Sequence, residues 1–286
     1  MDVIYTDFMK AFDKVPHQRL IIKMESYGIK GSVLEWVKKF LTHRKQRVLV
    51  DGKFSAWADV TSGIPQGSVL GPTLFLIYIN DLPDEIQECK IKMFADDTKL
   101  YKEIKDEEDC KTLQENIDRI HHWSSIWQLK FHPDKCHVMR MGRNRPDFQY
   151  TMPTYENTTH ILDVTNSEKD LGVYIDSELN FRDHVAKTVS KANKILGIIR
   201  RTFRYLDRTT LVLLYKTLVR PILEYGYPAW APLNVREKDE LEAVQRRATK
   251  LISTIRHLPY QDRLISLKLF SLSHRRQRGD MIFVYK

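Results

Sequence analysis

Apolar and polar positions change period several times along the chain, and each change marks an element. Val3-Ile4-Tyr5-Thr6-Asp7-Phe8 is β-branched and aromatic, which predicts a strand with Val3, Tyr5 and Asp7 on one face. No residues upstream supply it with a neighbouring strand. Between Leu20 and Leu41 the apolar residues recur at helical spacing around a break at Gly28 and Gly31, which predicts two helices. Arg47 to Val60 reads as a hairpin turning at Asp51-Gly52. A Gly/Pro-punctuated stretch, Ser62 to Pro72, then feeds an apolar helix from Thr73 to about Leu82, with Pro72 suited to its first turn. Ile91–Phe94 and Thr98–Tyr101 predict a hairpin with Asp96 and Asp97 at its tip. Leu113, Ile117, Ile120 and Trp127 mark another helix, and Val138–Met141 and Leu171–Ile175 two more strands. Helices alternating with antiparallel hairpins give an α+β class.

After Phe181 the pattern is helical only. Val185, Val189, Ala192, Leu196, Ile199 and Phe203 form an apolar stripe, and Lys187, Lys191, Lys194 and Arg201 each lie two residues behind it, about 200° around the helix. Leu241, Val244, Ala248, Leu251 and Ile255 repeat the pattern, with Arg246, Arg247 and Lys250 outside it. Charge changes at the same place. Residues 1–182 carry a net −3 and residues 183–286 a net +12, out of +9 for the 286-residue chain. A basic field of that kind suits a polyanion, although solvated helix faces also look like this. The change divides the chain into 1–181 and 182–286.

Composition excludes several classes. At 42% hydrophobic residues the chain is no disordered protein, and 11 Gly, 11 Pro and three cysteines rule out collagen-like and disulfide-framed designs. Cys89, Cys110 and Cys136 fit a reducing compartment. With no signal-like start and no apolar run long enough to span a bilayer, the chain reads as soluble and intracellular, with no membrane partner. His121, His122, His132, His137 and Cys136 lack paired metal-ligand spacing, so no zinc site is expected, and no phosphate-binding Gly-rich loop occurs. Asp13, Asp81 and Asp84 read as caps or turn residues.

Asp7 on its strand and Asp96-Asp97 at a hairpin tip carry the candidate chemistry. Phosphoryl transfer through two Mg²⁺ ions needs carboxylates delivered together, and two adjacent strands could deliver them. The Asp-Asp pair alone is weak, since 22 aspartates in this length give about one or two such pairs by chance. Three runs in order are stronger: Tyr5-Thr6-Asp7-Phe8-Met9-Lys10-Ala11-Phe12-Asp13, then Ser62-Gly63-Ile64-Pro65-Gln66-Gly67-Ser68-Val69-Leu70-Gly71-Pro72, then Phe94-Ala95-Asp96-Asp97. With Asp170-Leu171-Gly172-Val173 and Leu218 to Gly226 downstream, the chain resembles the reverse transcriptases of non-LTR (LINE-type) retrotransposons over nearly its whole length.

That resemblance implies a palm of antiparallel sheet with packed helices over 1–181, an all-helical thumb over 182–286, and fingers mostly missing. It implies an RNA-directed DNA polymerase that joins dNTPs to a DNA primer on an RNA template, using two Mg²⁺ ions or Mn²⁺ in their place, at a nuclear site of action. Asp7 matches the first metal-binding aspartate with the Phe8 carbonyl as a further oxygen ligand, and Asp96 matches the second with Asp97 its partner. Phe12 matches the aromatic gate that disfavours a 2′-hydroxyl, and Gln66 and Gly67 the pair lining the nucleotide. Lys135 looks like the basic residue assisting the leaving pyrophosphate, and Leu171 and Gly172 like the primer-grip turn. Lys187, Lys191, Lys194 and Arg201 become contacts of the thumb with nucleic acid. The family also carries an upstream fingers region that neighbours the Asp7 strand and supplies positive charge to the triphosphate. Its absence reads as an N-terminal truncation, and it leaves two hypotheses open: a polymerase, or an inactive remnant that only binds nucleic acid.

Overall fold

Val3 and Ile4 are both buried, at 5% and 0% exposure, although successive strand residues point to opposite faces. A strand covered on both faces lies inside its sheet, and β1 (Asp2–Thr6) is the central strand of five. The structure is a computed structural model describing residues 1–142, 146–155, 158–232 and 234–285. The chain forms two compact units, Met1–Asn166 and Ser167–Lys286. The division precedes the composition shift because a strand pair before the first basic helix belongs to the second unit.

In the first unit β1 leads to a one-turn helix α1 (Ala11–Lys14) and two longer ones, α2 (His17–Ser26) and α3 (Gly31–Leu41), broken where the glycines predict. Four two-residue strands follow: β2 (Lys45–Gln46), β3 (Leu49–Val50), β4 (Lys53–Phe54) and β5 (Ala58–Asp59). β3 pairs with β4 around the expected Asp51-Gly52 turn, and β2 pairs with β5. Next come α4 (Gly71–Ile79), β6 (Lys90–Phe94), β7 (Asp97–Lys102) and α5 (Glu107–Trp127), whose first turn is capped by the Asp106 carboxylate accepting from the Asp109 amide. β8 (His137–Arg140), β9 (Thr151–Pro153), β10 (Thr159–Ile161) and β11 (Asp163–Thr165) complete the unit.

The main sheet runs β11-β8-β1-β7-β6, antiparallel except for the parallel β11–β8 pair. The neighbours of β1 come from downstream of it. Both its edges are hydrogen-bonded, by β7 and β8, which return to it from later in the chain. Asp7 also lies one residue beyond the strand instead of within it.

The second unit opens with a hairpin of β12 (Ser167–Asp170) and β13 (Val173–Asp176), joined by Leu171-Gly172 with φ of 45° and 87°, the left-handed pair that a two-residue turn needs. The rest is helical: α6 (Arg182–Thr202), α7 (Arg208–Leu214), α8 (Arg220–Glu224), α9 (Tyr227–Trp230), α10 (Val235–Thr249), α11 (Tyr260–Leu267) and α12 (Leu272–Tyr285). A π-turn over Tyr215–Val219 joins α7 to α8. Pro221, with no N–H to donate, cannot continue the regular ladder there. The α6 stripe packs as expected over Val185, Ala192, Leu196 and Ile199, against Tyr215, Trp230, Leu241 and Val244, whereas Phe203 at its end is 38% exposed and outside this core. The second stripe is not one helix. α10 stops at Thr249, and Ile252 and Ile255 turn away into a separate cluster with Leu211 and Leu267. Among the described residues no helix is long and apolar enough to cross a membrane.

Lys23 has only 2% of its surface exposed. Its ammonium lies 3.8 Å, 4.5 Å and 4.9 Å from the ring centres of Trp127, Trp123 and Tyr78. It donates to the Tyr78 carbonyl and to the Asp81 carboxylate, which also accepts from the Trp123 indole at 3.2 Å. Asp81, read from sequence as a cap or turn, is thus the counter-ion tying α2, the end of α4 and α5 together. Burial lowers the Lys23 pKa from 10.5 to about 8 despite that partner. Between those two values the unfolded chain holds the extra proton, so stability rises with pH across the window. Urea unfolding at about pH 8 and pH 10.5 should show wild type gaining roughly 2–3 kcal/mol over Lys23→Met across this window. A constant difference between the two proteins would disprove the assignment.

Candidate active site

The register of the sheet brings the candidate carboxylates to one end of it. In β1 and β7, Thr6 pairs with Thr98, and the Thr6 hydroxyl donates to the Thr98 carbonyl at 3.1 Å. In β6 and β7, Phe94 pairs with Asp97, which leaves Ala95 and Asp96 as the turn, with Ala95 at φ 52°. Asp96 is thus at the tip as expected, half-buried, while Asp97 is the first residue of β7 and exposed. Asp7 leaves β1 at the end where this turn lies.

The opposite edge fixes Asp7 from the other side. The Asp7 carbonyl accepts from the His132 amide at 2.8 Å, and the Met9 amide donates to the Lys130 carbonyl at 2.8 Å. Between them Phe8 forms a bridge with Phe131, the two rings stacking at 4.3 Å. In such a pair the flanking residues carry the hydrogen bonds, so the Phe8 carbonyl points away from Phe131. Lys135 follows in the next turn, and its ammonium lies 3.2 Å from Asp7 Oδ2. Beneath it the buried Cys136 thiol is pushed up to about 12 by desolvation and donates to the His132 carbonyl. Among the described residues no three His, Cys, Asp or Glu side chains converge closely enough to form a ready-made metal cage.

The loop before α4, which carries Gln66 and Gly67, is tied to the segment that carries Phe12 by backbone hydrogen bonds. The Gly63 amide donates to the Val15 carbonyl and the Ile64 amide to the Phe12 carbonyl, at 2.8 Å and 2.7 Å. Gly63 is at φ +87°, and a Cβ there would sit 2.6 Å from the Asp13 carbonyl oxygen, so no other residue allows this approach. Phe12 is half-buried and stacks on Phe75 at 4.5 Å. The Gln66 amide donates to Asp13 Oδ1 at 2.9 Å, and Gly67 faces open space.

Lys10, Lys14, Arg44 and Lys45 join Asp13, Asp59 and Gln66 around a cleft of about 870 Å³, with the Lys45 ammonium 4.0 Å from the Asp59 carboxylate. Arg44 is aimed by its hydrogen bonds to the Leu41 and Gly63 carbonyls. Sequence reasoning expected the positive charge beside the nucleotide residues to be missing with the fingers. The cations of this cleft lie on the flanks of α1 and just after α3. Arg44-Lys45 straight after an amphipathic helix, with Lys10 and Lys14 bracketing Phe12, was the available signal.

Within the second unit, the Tyr225 hydroxyl donates to the Leu171 carbonyl at 2.8 Å, fixing the Leu171-Gly172 turn. Gly172, Lys187 and Lys191 share a groove of about 400 Å³ with Lys169, Tyr174 and Tyr225, and the Lys187 ammonium sits 3.5 Å from the Tyr174 ring centre. Lys194 is exposed on the same helix, and Arg201 lies about 20 Å along the axis from Lys187, in different surroundings.

Residues 3–205 match the reverse transcriptase (RNA-dependent DNA polymerase) family. The chain is 28% identical over 264 residues to the RNA-directed DNA polymerase from mobile element jockey of Drosophila funebris, covering 87% of this chain and 28% of that protein. It is 27% identical over 276 residues to the probable RNA-directed DNA polymerase from transposon BS of Drosophila melanogaster, covering 88% and 29%. It therefore spans less than a third of the length of these relatives. Telomerase from Candida albicans, solved with a fragment of telomeric RNA, superposes with a TM-score of 0.48 at 9% identity over 89% of this chain and 48% of that one. The family match takes in all three motif segments, and the chain belongs to the reverse transcriptase family.

Proposed function

We propose that the chain is the nucleotidyl-transfer part of an RNA-directed DNA polymerase of a non-LTR retrotransposon, extending a DNA primer with dNTPs on an RNA template. The observation that carries this reading is the double-edged register of β1, which delivers Asp7 to the turn holding Asp96. The first unit then serves as the palm and the helical unit as the thumb.

The donor set fits Mg²⁺, with Mn²⁺ as a substitute. Hard oxygen ligands suit both ions, and Mg²⁺ needs only one or two carboxylates when substrate phosphates and water complete its shell. Asp7 and Asp96 would hold the ions, with Asp97 and the Phe8 carbonyl beside them, and bound metal supplies charge stabilisation at the reacting phosphate.

The chain's own groups do the positioning. Lys135 holds the Asp7 carboxylate in the free protein, and release of that carboxylate leaves its ammonium free to meet the departing pyrophosphate. The cationic cleft of Lys10, Lys14, Arg44 and Lys45 suits the triphosphate, beside Gln66 and Gly67 for the base. Phe12, backed by Phe75, presents a rigid edge where a 2′-hydroxyl would go. The Leu171-Gly172 turn, held by Tyr225, serves as a primer grip, and Lys187, Lys191, Lys194 and Arg201 contact nucleic acid.

Primer extension on an RNA template with dNTPs and Mg²⁺ tests the proposal. Asp96→Ala should lower the rate by at least about 100-fold without changing the melting temperature. Extension that survives this substitution would refute the reading, and nucleic-acid binding with no extension by wild type would leave only a binding remnant. Phe12→Val should raise incorporation of ribonucleotides relative to deoxynucleotides by roughly tenfold or more. Unchanged discrimination would reduce Phe12 to its packing on Phe75.

A further inference from the structure

The second unit holds a cleft with almost wholly cationic walls. Arg200, Arg201 and Arg204, at and beyond the end of α6, share a volume of about 940 Å³ with Arg247, Lys250 and Arg256, at and beyond the end of α10. All six are exposed, and among the described residues no carboxylate lines the cleft. Its floor is apolar, built from Leu196, Phe203, Leu206 and Leu251, with Phe203 38% exposed.

Like charges gathered this way repel, and the fold offsets only part of that. Arg200, Arg201 and Arg247 sit in last helical turns, where the helix dipole favours cations. Arg204 and Arg256 lie outside any helix and gain nothing from it. An ordinary soluble surface mixes both signs. Five of the six groups are guanidiniums, which combine phosphate recognition with stacking on flat rings.

We propose that this cleft binds an unpaired stretch of nucleic acid, with phosphates on the arginines and a base against Phe203. A duplex offers phosphates but hides its base faces, which would leave the apolar floor without a partner, whereas an unpaired strand offers both. Of the residues that the family resemblance assigns to nucleic acid, only Arg201 is here. Gly172, Lys187 and Lys191 line a separate groove.

Fluorescence anisotropy with the whole chain tests this, using labelled oligo(U) and oligo(dT), free and annealed to their complements, at about 50 to 200 mM salt. No nucleotide or divalent cation is added, so the result is independent of the polymerase reading. The combined Arg200→Gln, Arg204→Gln and Arg256→Gln variant should lose roughly tenfold in affinity for unpaired strands. The slope of log affinity against log salt should flatten by about 2, from about 0.7 per phosphate contact. Phe203→Ala should weaken unpaired strands and leave duplexes unchanged, a readout that stands even where charge removal unsettles the end of α6. Loss on oligo(U) alone, on oligo(dT) alone or on both supports the site and identifies the sugar it accepts. Unchanged affinity and slope in the charge variant together with no effect of Phe203→Ala, or equal losses on duplex and unpaired strands, would overturn it, and the first result would turn attention to a protein partner for this surface.

Discussion

An antiparallel ladder decides which residues can meet, and β1 is held by such ladders along both edges. The geometry of the candidate site follows from that. With Ile4 at 0% exposure and a partner on each edge, β1 cannot slip by one residue without turning every side chain to the opposite face of the sheet. Asp7 therefore has one position, where the β6–β7 turn approaches from one side and the 130–135 segment from the other. The chain brings together residues nearly ninety positions apart in sequence by fixing a five-residue strand.

The helices are held by a different device. A charge buried among aromatic rings is costly unless its partner is fixed, and Lys23 has Asp81, the Tyr78 carbonyl and three rings around it. That requirement sets the end of α4 against α2 and α5. The loop before α4 is thus anchored at both ends, at Gly63 and Ile64 by hydrogen bonds to Val15 and Phe12, and at Gly71 by the helix. Gln66 and Gly67 stay exposed between the anchors. A loop tied this way presents its middle in one place, which the proposed nucleotide-lining role needs.

Local chemistry was legible in the sequence wherever a single residue type forces a conformation. The Asp51-Gly52 turn, the break at Gly28–Gly31 and the α6 stripe all follow from backbone preference or periodicity, whereas the pattern reads Leu171-Gly172 as strand and the structure makes it the turn before β13. What was not legible depended on partners distant in sequence. Nothing in Val3–Thr6 shows that β7 and β8 will flank it, nothing in Asp81 shows that its partner is Lys23, and Arg44 gives no sign of the Gly63 carbonyl. The stripe from Leu241 to Ile255 misled for a related reason. Its spacing stays helical past Thr249, but the apolar cluster around Leu211 and Leu267 draws Ile252 and Ile255 out of the helix.

Two ion pairs in the first unit show how burial sorts structural charges from exchangeable ones. Lys23 and Asp81 sit at 2% and 28% side-chain exposure, and separating them would strand a cation among tryptophans, at a cost of about 3–5 kcal/mol. Lys135 and Asp7 sit at 62% and 38%, where water screens the attraction and a pair contributes about 0–1 kcal/mol. The first contact, with Lys23 charged or neutral, ties α2 and α5 to the end of α4. The second can open at almost no cost to stability, so a carboxylate positioned by its backbone is free to change partners, from an ammonium to whatever charge a substrate brings. A site that must bind, react and release requires that combination: a main chain with one arrangement and side-chain charges with several.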